Sequence, residues 1–293
     1  MYSVDFDLAE NHLQALVVTV EIQTVIGRIE AMEIPNGYSK RLSELNLRVT
    51  GGTVITEAPS SVIHIQAATR TISLRYELPV QQSESPFADE QAPVIQPHWL
   101  AAHGRDILPV PLNHFSSMAV LNVAAPPSGW TQMANSNNSL PLQNILDAFL
   151  LGGAQYRMLT RDLDGAPIAI YFPLSASSQA ERILKDAANV LSAERHLWHS
   201  EPIPFQVGLI ALRDDEDFSG RGISGGFALY LGKNVQEPTW LRLIAHENLH
   251  AWISRKIGGF PARDADSEAW LNEGFTEAYT ARILLEAGLW SID

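Results

Sequence analysis

His246-Glu247-Asn248-Leu249-His250, followed by Trp270-Leu271-Asn272-Glu273-Gly274, decides how this chain is read. Residues four apart on a helix share a face, so the imidazoles of His246 and His250 can point at one metal ion. Glu247 sits beside them without having to bind the metal. H-E-x-x-H is the pattern of zinc hydrolases, with two ligands, a general base, and a third ligand from elsewhere. Glu273, on the next expected helix, is the candidate third ligand; residues 251–272 leave room for a turn that sets the two helices side by side. Zinc would lower the pKa of a bound water toward roughly 7. Glu247 would take its proton as it attacks a carbonyl, then pass the proton to the leaving amine. Glu277, four residues past Glu273, is a candidate to accept the outer N–H of a zinc-bound histidine. Its alternative reading is a solvated helix residue.

Outward from this segment, Pro238 suits the first turn of a helix that runs to about Lys256, stopped by Gly258-Gly259 and Pro261. Asp264 or Asp266 can cap a last helix that runs to about Ala287, where Gly288 ends it. Upstream, Ser178-Gln179-Ala180-Glu181 is a capping-box pattern opening a helix to about Trp198. Phe205 to Leu212 and Gly225 to Leu231 read as buried strands. Residues 1 to about 80 alternate apolar and polar at period two, as in Leu16–Ile22, Val62–Gln66 and Thr71–Leu78, with turns at Pro35-Asn36-Gly37 and Gly51-Gly52. Residues 81–105 read as a long loop and Met118–Val123 as a further strand. The Pro-, Gly- and Asn-rich stretch 124–140 marks a boundary. The expected domains are 1–135, an antiparallel β-sandwich-like unit, and 141–293, an α+β unit.

The 293 residues are 46% apolar and 18% charged, an ordinary globular composition. There is no cysteine, which excludes disulfides, thiolate catalysis and cysteine zinc sites, so any metal rests on His, Asp or Glu. The net charge of −13 disfavours a broad nucleic-acid or anionic-membrane surface. No apolar run reaches the ~18 residues of a membrane span. The first residues lack a signal-peptide pattern, so the expected location is the cytoplasm if Met1 is the native start. The remaining histidines are scattered, and Trp240, Trp252 and Trp270 are expected to pack in the core. Asp214-Asp215-Glu216-Asp217 lacks the spacing of a calcium loop and reads as a solvated turn.

H-E-x-x-H on one helix and N-E-G on the next resemble the gluzincin metallopeptidases. Trp270-Leu271-Asn272-Glu273-Gly274-Phe275 is similar to the third-ligand helix of aminopeptidase N. That family typically places eighteen residues between the second His and the Glu; this chain has twenty-two, closer to the bacterial glycyl aminopeptidase family. The resemblance implies an N-terminal antiparallel β domain followed by a thermolysin-like zinc-peptidase domain. It makes His246, His250 and Glu273 the ligands of one zinc per chain, Glu247 the base, and a peptide the substrate. It also assigns substrate pairing to a glycine-rich strand, here Gly225-Gly226-Phe227. In the relatives a glutamate soon after the glycines binds the free amino terminus; Ala228 stands in the corresponding place. The relatives continue past the Glu helix with further helices and often a PDZ domain. The expectation is therefore a C-terminally truncated piece of a longer protein, with Tyr279 a packing residue rather than an oxyanion donor. The function expected is an aminopeptidase-like zinc metallopeptidase. The alternatives are a zinc endopeptidase and a non-catalytic or weakly active peptide-binding protein that keeps the zinc site.

Overall fold

A computed structural model describes residues 1–35, 45–55, 62–81, 93–114, 117–133, 139–223, 225–256 and 265–291; the side chains of 143, 251, 253–256 and 265–272 are outside that description. The Asn36-Gly37 turn, the stop at Gly258-Gly259-Pro261 and a cap at Asp264 fall outside it; Asp266 lies within the last helix, which begins at Ala265. The fold is mixed α+β and divides into two compact units, Met1–Ser85 with Ala92–Gln155, and Tyr156–Asp293.

The first unit is built from sheets. One has six strands: β1 (Tyr2–Ala9), β2 (His12–Gln23), β4 (Arg48–Thr50), β7 (Thr71–Pro79), β11 (Met118–Val123) and β13 (Ser139–Pro141), in the order β13-β11-β1-β2-β7-β4. Glu10 and Asn11 turn β1 into β2 at φ 51° and 67°, the left-handed pair that a two-residue hairpin requires. β7 buries every second residue, the pattern its sequence shows. A second sheet contains β3 (Ile29–Glu33), β5 (Gly52–Val54), β6 (Val62–Ala67) and β10 (Val110–Pro111). Between the sheets' apolar faces lie Tyr2 and Tyr76, whose hydroxyls donate to the carbonyls of Pro109 (2.9 Å) and Ile107.

A third sheet corrects two readings. β8 (Val94–Ile95), β9 (Trp99–His103), β12 (Thr131–Gln132) and β14 (Phe149–Gly153) pair in the order β12-β14-β9-β8. The described part of 81–105 is therefore strand and a short helix, α1 (Gly104–Ile107), not loop. All five residues of β9 and of β14 are buried, so neither has the alternation by which a half-exposed strand is recognised. Residues 141–153, assigned by sequence to the second domain, belong to the first unit. They carry α2 (Leu142–Leu146) and β14, which pairs residue by residue with β9.

The second unit holds a five-stranded sheet of β15 (Tyr156–Leu163), β16 (Ala166–Pro173), β17 (Phe205–Ala211), β18 (Phe218–Ile223) and β19 (Gly226–Leu231), in the order β15-β16-β17-β19-β18. β16, β17 and β19 run parallel; β15 and β18 are antiparallel to their neighbours. Asp164-Gly165 closes the first hairpin at φ 56° and 87°. Helices α3 (Ser177–Trp198), α4 (Glu237–Lys256) and α5 (Ala265–Glu286) complete the unit. α3 buries Ile183, Ala187, Val190 and Leu191 against the sheet and α4; each large aliphatic side chain so buried stabilises by about 1.5–3 kcal/mol. Ser178 does not cap α3: the helix begins one residue earlier, no side chain caps it, and the Ser177 hydroxyl donates back to Leu174 O at 2.7 Å. Pro238 lies in the first turn of α4, and Gly288, at φ 66°, follows α5 with its N–H on Leu285 O. No helix among the described residues is long and apolar enough to cross a membrane.

Candidate metal centre

Three side chains converge between α4 and α5. His246 Nε2 and His250 Nε2 are 3.2 Å apart. Glu273 places one carboxylate oxygen 3.2 Å from His246 Nε2 and the other 3.5 Å from His250 Nε2. The three ligand-type atoms lie within 4.8 Å of one another. Donors each ~2.0–2.2 Å from a tetrahedral zinc would sit roughly 3.3–3.6 Å apart, so the residues fit such an ion.

The outer ring nitrogens are occupied, which leaves both Nε2 atoms for the cluster. His246 Nδ1 lies 3.1 Å from Glu277 Oε2, and His250 Nδ1 lies 3.4 Å from the buried Thr276 hydroxyl. An Nδ1–H donated to a carboxylate fixes the tautomer whose Nε2 lone pair faces the metal. Arg242 forks onto Glu277 Oε1 through Nε (2.9 Å) and a terminal nitrogen (2.6 Å). Burial works to raise Glu277, but Arg242 and His246 outweigh it and hold the carboxyl below its ordinary value. Glu277 thus bridges His246 and Arg242 and is itself exposed.

Glu247, next to His246 on α4, lies against β18. It accepts a hydrogen bond from the Gly222 backbone N–H. A Cβ at Gly220 would come within 2.4 Å of Glu247 Cγ and 2.7 Å of Oε1, so only glycine leaves room for this carboxylate. Burial pushes the Glu247 carboxyl above its ordinary value; the negative Glu273 adds to the rise, while His246 and the Gly222 N–H oppose it.

The structure does not bring Gly225, Gly226 and Phe227 to the centre. Gly225 turns the chain between β18 and β19 at φ 76°. Gly226 lies so close to β17 that a Cβ would meet Gln206 O at 1.8 Å. Phe227 is buried against Phe205. β19 is hydrogen-bonded on both edges, to β17 and to β18, which leaves no edge for a substrate strand. Ala228 is fully buried in the same strand. The strand that meets α4 at Glu247 is β18. Tyr279 packs against Trp198 with ring centroids 5.4 Å apart, as a packing residue would.

No family model and no curated protein matches the sequence. Among solved structures, the chain is similar to an aminopeptidase N family protein from Idiomarina loihiensis, with a TM-score of 0.69 and 14% identity. The chain has an aminopeptidase N-like fold. The likeness covers 99% of this chain and 55% of that one, so the chain spans about half the length of the solved relative.

Sequence reasoning missed Gly220, Gly222, Arg242 and Thr276. Arg242 was accessible, being one turn before His246 on the same face; so was Thr276, three residues past Glu273. Gly220 and Gly222 were not, since nothing in Phe218–Ile223 marks it as a strand beside the base.

Proposed function

We propose that the second unit is the metal-holding part of a zinc peptidase, with His246, His250 and Glu273 as ligands and Glu247 as general base. The observation that carries this reading is the convergence of three donors of suitable type and spacing, with a fourth carboxylate, Glu247, held beside them against β18. Zinc, when bound, acidifies a water and polarises a substrate carbonyl. Glu247 supplies the proton acceptor. Gly220 and Gly222 fix where that carboxylate stands. Glu277, backed by Arg242, holds the His246 ring, and Thr276 holds His250.

The aminopeptidase N-like fold supports a peptide as the substrate. Metal analysis is expected to find one zinc per chain. Glu247→Gln should keep the metal and lower hydrolysis about 100- to 10,000-fold, the span of a lost general base. Equal, low hydrolysis by both proteins would replace the enzyme with a peptide-binding module. Comparing free with amino-blocked peptides separates an aminopeptidase from an endopeptidase, which cleaves both.

A further inference from the structure

Behind the ligand helix lies a buried carboxylate that the chemistry above does not use. Glu194, on α3, has no exposed surface. Its Oε2 accepts from Asn248 Nδ2 and, at 2.9 Å, from Trp252 Nε1; its Oε1 is buried without a hydrogen-bond partner. Asn248 and Trp252 are 2% and 8% exposed. They sit four residues apart on α4, roughly 120–160° around the helix from His246 and His250. We propose that Glu194 is a positioning residue, which fixes the rotation of α4 through Asn248 and Trp252 and so aims the two imidazoles.

One acceptor pinned by two donors on successive turns resists rotation in either sense, because turning α4 lengthens one of the two bonds. Packing alone has no such directionality. A second bond of the same kind holds the start of the helix: Trp240 Nε1 donates to Asp186 Oδ2 at 3.0 Å, with the Arg182 guanidinium 5.1 Å above the indole. Asp186 precedes Glu194 on α3 as Trp240 precedes Trp252 on α4, so the two bonds together set both the rise and the rotation of α4. The leverage is large. A turn of ~10° moves an atom ~6 Å from the helix axis by about 1 Å, against a tolerance of about 0.2 Å in a metal–ligand distance. An apolar residue at 194 would leave both buried donors unpaired, and α4 would shift to satisfy them.

The inference rests on the zinc reading for what the rings hold, so the test reads the rings with and without metal. Cobalt(II) binding and its visible spectrum are measured on the full chain for wild type, Glu194→Gln, Glu194→Leu and His246→Ala. Ring resonances of His246 and His250 are recorded by NMR on the metal-free proteins. Glu194→Gln, which keeps an acceptor, should bind like wild type. Glu194→Leu should bind about 10- to 100-fold more weakly, as when an outer-shell partner is lost, with an altered spectrum and displaced ring resonances. His246→Ala should lose the metal. Wild-type affinity, spectrum and resonances in a folded Glu194→Leu protein would overturn the proposal and leave the zinc reading standing. Absence of cobalt binding by wild type, with rings that still move in Glu194→Leu, would overturn the zinc reading and keep the positioning. If Glu194→Leu does not fold, Trp252→Phe decides. It removes one donor and should weaken cobalt binding several-fold; unchanged binding and resonances overturn the proposal.

Discussion

Gly220 carries no functional group, yet it decides where Glu247 stands. Alanine there would place a methyl 2.4 Å from Glu247 Cγ, so the base or the strand must move. Gly220→Ala is expected to keep the metal while kcat falls about 100-fold, the scale of a ~1 Å misplacement; metal titration beside steady-state kinetics checks it. Glu277→Gln should act on the other quantity. The carboxylate that fixes the His246 tautomer becomes an amide, and zinc affinity should fall about 10- to 100-fold in competition with a chelator. Ligand-type residues were legible in the sequence because H-E-x-x-H and N-E-G encode their chemistry directly. Gly220 was not, because a glycine's meaning lies in what approaches it. Gly225 and Gly226 show the converse: they drew attention as a substrate strand, and their geometry is that of a turn and a close strand–strand approach.

Among the elements, alternating strands could be read, and so could the apolar runs that became β17 and β19. β2, β6 and β7 were recognised by alternation, β11 as a further strand-like segment, and α4 by Pro238 in its first turn. β9 and β14, covered on both sides, were not. Their burial makes them costly to cut: Leu151→Ala, at a fully buried site, should lower stability by about 2–5 kcal/mol in denaturant titration. The α3–α4 contact has a pH signature. Burial raises the Glu194 carboxyl well above its ordinary 4.5, outweighing the hydrogen bonds from Trp252 and Asn248. Above that value the unfolded chain loses a proton that the folded chain keeps. Stability contributed at this site is thus complete at low pH and falls as pH rises toward the folded pKa. Glu194→Gln removes the effect, so its denaturation midpoint should gain on wild type across the window that opens above the ordinary value of 4.5. Parallel midpoints across that window would contradict the raised pKa.

For the whole molecule, two units with separate cores imply that zinc, if held as proposed, acts on one of them. Free zinc at about 100 times its Kd should stabilise the second unit by about 2.7 kcal/mol. Calorimetry should then show one transition that moves with zinc and chelator and one that does not. Movement of both would mean that the units unfold together. The first unit has a different temporal constraint. Its opening strand pairs with β2 at once, but residues Tyr2–Val4 find their other neighbour only in Leu121–Val123, aligned parallel. At roughly 5–20 residues per second of synthesis, that flank waits on the order of 5–20 s after emerging from the ribosome. A nascent chain thus spends many seconds with an open margin beside its first hairpin, a station where a chaperone would dock and where two stalled chains would zip together.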